Sequence, residues 1–113
     1  MTITRLEVAP VSTLDDGDHV IFVHGNREIV IFRVESTLHA IDRRCTHMGA
    51  DLSKGIINGN ILQCPIHGAR FNLDTGELLK EDLLSSIIFN ESPDINVYPV
   101  EVINGIMWIE VDA

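Results

Sequence analysis

Short runs of apolar, mostly β-branched residues, broken by Gly, Asn and Asp, recur from one end of the chain to the other. They predict strands over Ile3 to Val8, His19 to Val23, Glu28 to Val34, Leu38 to Ile41, Gly55 to Ile57, Asn60 to Gln63, Arg70 to Leu73, Asn96 to Val102 and Ile106 to Val111. Three dipeptides, Gly25-Asn26, Asn58-Gly59 and Asn104-Gly105, tolerate the positive φ angles of two-residue turns and predict hairpins. One stretch departs from this all-β pattern. Between Leu79 and Pro93, the residues Leu83, Leu84, Ile87 and Ile88 recur at helical spacing, which predicts a short helix whose apolar side packs on its own domain, the alternative being a face that covers a functional site or meets a partner.

At 113 residues the chain is expected to form one domain, 1–113, with no repeat, linker or low-complexity segment. Its first residues, Met1-Thr2-Ile3-Thr4-Arg5, lack the layout of a signal peptide, and no apolar run approaches the roughly 18 residues that span a membrane. The expected location is cytoplasmic. In a reducing compartment the chain's two cysteines read as metal ligands rather than as a disulfide, which fits their place beside histidines.

Those cysteines lie in Cys45-Thr46-His47 and Cys64-Pro65-Ile66-His67, with 16 residues between the two segments. Two thiolates and two imidazoles suit either zinc or an iron–sulfur cluster. Zinc sites usually pair like with like, whereas here each segment supplies one ligand of each kind, and the mixture favours two metals. In a [2Fe-2S] centre with one iron on two cysteines and the other on two histidines, each loop gives its Cys to one iron and its His to the other. The Asn58-Gly59 hairpin, lying between the segments, brings them together as adjacent loops. Gly49 and Gly68 follow the histidines where the backbone must turn sharply and approach the sulfides, and Pro65 fixes φ inside the second loop.

The pattern Cys45-Thr46-His47-Met48-Gly49, Leu52, Gly55, Cys64-Pro65-Ile66-His67-Gly68, Phe71 and Gly76 closely resembles that of the Rieske [2Fe-2S] proteins. The likeness is detailed from about Leu38 to Gly76 and looser on both sides. It implies an antiparallel β-sandwich of the Rieske type, with a small cluster-binding subdomain at about 42–76 and one [2Fe-2S] cluster per chain. It also implies that Cys45 and Cys64 hold the buried iron and that His47 and His67 hold the outer one.

An oxidised cluster on two thiolates and two neutral imidazoles is formally neutral, so it takes up an electron more readily than an all-cysteine site. Its potential is expected within about −150 to +300 mV. High-potential Rieske proteins add a disulfide and two hydroxyls near the cluster, and the matching places here hold Ala50, Ile66, Ala69 and Phe71. The potential should therefore fall at the low end, as in soluble ferredoxins that feed ring-hydroxylating dioxygenases. Arg43 and Arg44, just before Cys45, read as raising the potential somewhat, as gripping an acidic partner, or as a solvated pair of charges.

The resemblance thus implies a one-electron carrier between an NAD(P)H-dependent ferredoxin reductase and a terminal oxygenase. An oxygenase itself is excluded by size, and His19, His24 and His39 read as surface or strand-face residues. The net charge of −9 steers such a carrier to basic docking faces and away from nucleic acid and anionic membranes. Two alternatives stay open at this point: a small Rieske-like subunit of a nitrite-reductase-type enzyme, and a structural zinc module.

Overall fold

The computed structural model describes residues 2–45, 49–65, 68–79 and 94–112. Among these the chain forms β1 (Ile3–Pro10), β2 (His19–His24), β3 (Arg27–Val34), β4 (Thr37–Asp42), β5 (Ile56–Asn58), β6 (Ile61–Gln63), β7 (Arg70–Asn72), β8 (Val97–Tyr98), β9 (Val100–Ile103) and β10 (Ile106–Asp112). They build three sheets, ordered β1-β10-β9, β2-β3-β4-β8 and β5-β6-β7, with every named pair antiparallel. No helix among the described residues is long and apolar enough to cross a membrane.

The four-stranded sheet is the shared wall of two cores, and the sequence of β3 shows why. Its run Ile29-Val30-Ile31-Phe32 is buried throughout, as a strand covered on both faces requires. Ile29 and Ile31 join Leu14, Ala40, Met107, Ile109 and Val111 in the core of the sandwich. Val30 and Phe32 point the other way and join Ile41, Leu52, Leu62, Phe71, Leu73 and both cysteines. Successive strand side chains alternate between faces, so neighbouring residues of one strand serve different cores.

The expected strand over Asn96 to Val102 is two strands in two sheets. Val97 and Tyr98 pair with β4, whereas β9 pairs with β10. Pro99 stands between them and has no N–H for a ladder, although its carbonyl accepts from the Glu110 N–H at 3.1 Å. Tyr98 is anchored by donating its hydroxyl to Asp42. Burial, then this hydrogen bond, push the phenol above its ordinary pKa.

Hairpin turns agree with the dipeptide signals in two cases and shift in one. Gly25-Asn26 and Asn104-Gly105 fill two-residue loops between His24 and Arg27 and between Ile103 and Ile106. In the β5–β6 hairpin Asn58 pairs with Ile61, so the loop is Gly59-Asn60, one residue later than expected. A fourth turn joins β3 to β4 through Glu35 and Ser36, at φ 49° and 67°. The strain of these non-glycine residues is offset in part by the Ser36 N–H donating to Asp16 at 2.9 Å. The short helix expected over Leu79 to Pro93 lies, from Lys80 onward, outside the described residues.

Gly76 closes the turn after β7. Its φ is +80°, its N–H donates to the Asn72 carbonyl at 2.7 Å, and its own carbonyl accepts from the Ile95 N–H at 2.9 Å. A Cβ added at Gly76 would stand 2.1 Å from the Ile95 carbonyl oxygen.

Candidate metal centre

Two loops of like construction carry the cysteines. In the first, the Cys45 N–H donates to the Ala50 carbonyl at 2.8 Å; in the second, the Cys64 N–H donates to the Ala69 carbonyl at 2.7 Å. Each loop thus closes on the residue five positions past its cysteine, and that residue is a buried alanine in both. The residue before each alanine is a glycine in the left-handed region, Gly49 at φ 67° and Gly68 at φ 71°. That conformation is the demand met by glycine. At Gly68 a side chain would also crowd the Gln63 amide, 3.3 Å from where its Cβ would stand. Pro65 sits exposed in the turn of the second loop.

Both cysteine side chains enter the same core. Cys45 is 4% and Cys64 1% exposed, no disulfide joins them, and they share their surroundings with Ala50, Ala69, Leu52 and Phe71. Thiolates placed there are desolvated, a cost that a bound metal offsets. The donor chemistry and the paired glycine turns therefore fit a sulfur-ligated centre between two loops. His47 and His67, together with Thr46, Met48 and Ile66, lie outside the described residues. The other histidines sit elsewhere: His19 and His24 are exposed on β2, and His39 is buried on β4 with Nδ1 3.6 Å from Asp74.

The neck of the first loop carries a group of charges whose connections the sequence did not reveal. Arg43 donates to both carboxylate oxygens of Asp51, at 3.2 and 3.0 Å, and to Glu28 at 3.0 Å. Arg44 donates to the other oxygen of Glu28 at 3.3 Å. Asp51 also accepts from the Ser53 N–H at 3.0 Å and hydroxyl at 2.6 Å, which caps the short 3₁₀ turn Leu52–Lys54. The Arg43 guanidinium, aided by Ser53, holds the Asp51 carboxyl well below the usual range against the opposing effect of desolvation. Both arginines before Cys45 are therefore ion-paired within the chain. An Asp two residues before a Ser is the one local signal that marks the cap; the pairing with Arg43 and Glu28 is tertiary.

A sandwich with two glycine-closed cysteine loops packed beneath one face defines an iron–sulfur protein of the Rieske type. The family model of the Rieske [2Fe-2S] domain matches residues 4–99, and the chain belongs to that family. It is 33% identical over 112 residues to the ferredoxin component of the naphthalene 1,2-dioxygenase/salicylate 5-hydroxylase systems of Ralstonia sp, covering 99% of this chain and all of that one. Among solved structures it resembles a chain in the complex of reduced oxygenase and oxidized ferredoxin in carbazole 1,9a-dioxygenase. There the TM-score is 0.77 and the identity 28%, with 93% of this chain and 91% of that one covered. A putative NADH-dependent nitrite reductase small subunit from Mycobacterium tuberculosis shares the fold at a TM-score of 0.79 and 22% identity, covering 100% of this chain and 99% of that one.

Proposed function

We propose that this chain is a Rieske-type ferredoxin, a one-electron carrier between an NAD(P)H-dependent ferredoxin reductase and a terminal oxygenase of the ring-hydroxylating kind. The observation that carries the reading is the end-to-end similarity to a dioxygenase ferredoxin component, in a chain whose two cysteines are both buried in one core. The assigned ligands are Cys45 and Cys64 for the inner iron and His47 and His67 for the outer iron of one [2Fe-2S] cluster, within a cluster-binding subdomain at about 42–76. When bound, that cluster supplies a site that accepts and returns a single electron at a potential low in the range of about −150 to +300 mV.

The residues around it define the rest. Cys45 and Cys64 present thiolates from an apolar core that excludes water, and the turns at Gly49 and Gly68 orient the two loops toward each other. Ala69 and Phe71 place a methyl and a phenyl group where high-potential relatives have hydroxyls, so no side-chain donor there stabilises added negative charge. No residue of the carrier transforms an organic substrate. The protein is expected to work in the cytoplasm, with protein redox partners and neither nucleic acid nor membrane.

Iron, sulfide and zinc analysis with EPR of the dithionite-reduced protein tests this. Two irons and two sulfides per chain, with a reduced signal whose average g value lies below that of all-cysteine clusters, are expected. A colourless protein holding zinc overturns the reading in favour of a structural module. Copurification with a large reductase subunit would instead assign it to a nitrite-reductase-type enzyme.

A further inference from the structure

Four charged side chains meet at the neck of the first cysteine loop: Glu28 from β3, Arg43 and Arg44 immediately before Cys45, and Asp51 immediately after Ala50. Two are positive and two negative. Their side chains are 33%, 22%, 49% and 15% exposed, so Arg43 and Asp51 form the sheltered half of the group and Arg44 the open edge. In a chain of net charge −9 this balance is local rather than general. Asp51 cannot easily lose its part in it, because its carboxylate takes two donors from Arg43 and two from Ser53.

We infer that the Glu28–Arg43–Arg44–Asp51 group is a charge-balanced clamp that both positions the Cys45 loop and holds the potential of the carrier low. The positioning follows from connectivity. Arg43 ties β3 to the loop neck through Glu28 and to the far side of the same loop through Asp51, while its backbone carbonyl accepts from the Leu52 N–H at 2.7 Å. The neck of the loop is therefore held by a chain of charge-assisted hydrogen bonds, Arg44–Glu28–Arg43–Asp51, with the backbone bond from Leu52 to Arg43 beside it.

The effect on potential follows from Coulomb's law. Reduction would add one negative charge to the cluster that Cys45 is assigned to help hold. Two arginines at positions 43 and 44 acting alone would favour that charge. Glu28 and Asp51 pair with them at contact distance, so the two cations that precede Cys45 in the chain contribute no net attraction. These four are positioning residues; none of them touches the electron or a substrate.

The inference rests on the ferredoxin reading, and its test separates the two. Midpoint potentials are measured on holoprotein by titration with one-electron mediators, alongside EPR, for the wild type, Asp51→Asn, Glu28→Gln, Arg43→Gln and the double variant Arg43→Gln/Asp51→Asn. Removing either carboxylate should favour reduction by about three- to tenfold in equilibrium with the mediator, about 30–60 mV for a one-electron couple. Removing Arg43 should disfavour it by a similar factor, and the double variant should return close to the wild type. Glu28, on β3 and away from the loop itself, serves where Asp51→Asn fails to retain its cluster.

Potentials that order by the sign of the charge removed, with g values unchanged, are the expected result. Shifts in one direction for every variant, or none, would overturn the clamp while leaving the ferredoxin reading intact. A wild type with no reversible one-electron couple overturns both.

Discussion

Gly76→Ala tests whether the turn after β7 is a joint that no side chain can enter. The alanine would have to hold φ near +80°, which costs a non-glycine residue about 1–2 kcal/mol. Its Cβ would also stand 2.1 Å from the Ile95 carbonyl oxygen and 3.2 Å from a Val97 methyl. The first of these neighbours is backbone, held by the Ile95 N–H donating to the Gly76 carbonyl, and cannot swing aside as a side chain could. Forcing such an overlap adds about 2–3 kcal/mol, for a total of about 4 kcal/mol. In a domain of this size each 1 kcal/mol lowers Tm by about 4 °C, so a fall of about 15 °C is expected. The control is Gly105→Ala, at φ +79° with no atom within 4 Å of the added Cβ, where the backbone cost alone predicts about 4–8 °C. Both are read by thermal unfolding monitored by circular dichroism at one protein and metal content. Equal losses for the two variants would refute the steric argument and leave only the φ cost.

Replacing Cys64 by Ser should abolish stoichiometric iron binding, which metal analysis of the purified variant checks, because one hard hydroxyl cannot stand in for a thiolate in this core. Phe71→Tyr combined with Ala69→Ser introduces two hydroxyls into the core that holds both cysteines; it should raise the potential by about 50 mV or more, at about 1 kcal/mol for each new hydrogen bond to a charged sulfur, read by mediator titration. For Asp51 the sign of the pH dependence is set by a carboxyl pKa held well below its ordinary 3.8. The unfolded chain takes up a proton near pH 4 that the folded chain refuses, so the stabilisation is present in full above that range and is lost as pH falls toward the folded-state value. Asp51→Asn should thus be about 1–2 kcal/mol less stable than the wild type at pH 7, and the gap in urea-unfolding free energy should close progressively below pH 4.

Strand-scale structure was legible because it depends on what one short stretch of chain does by itself. The alternating residues of β1 and β10, and the apolar run of β3, bound their strands to within about two residues. Two failures have physical causes. The β8–β9 break at Pro99 looked like one strand because a missing N–H leaves no mark on hydrophobic periodicity, and only the partner sheets reveal the switch. The Glu35-Ser36 turn was invisible because neither residue advertises positive φ; its conformation is sustained by a contact from Asp16, which lies 20 residues away in sequence. At the candidate site the turns at Gly49 and Gly68 were readable from spacing, since loop conformation is local. Glu28 and Asp51 were not. Whether Arg43 faces water or a carboxylate depends on how β3 lies against the loop neck, and nothing in the order of residues states that.

The wall formed by β3 carries a consequence for how long the protein can keep its iron. Because Ile29 and Ile31 belong to one core and Val30 and Phe32 to the other, an opening motion wide enough to expose the cysteine side strips solvent protection from the strand that the sandwich also relies on. Fraying of the cysteine loops alone leaves β3 in place, whereas opening the whole core around the two cysteines requires an excursion comparable to global unfolding. Where iron leaves only through that larger opening, amide exchange at residues 29–32 tracks iron loss to a chelator; iron lost faster than these amides exchange marks release through the loops alone. On that route the lifetime of the loaded protein is governed by the sandwich as much as by the two cysteine loops.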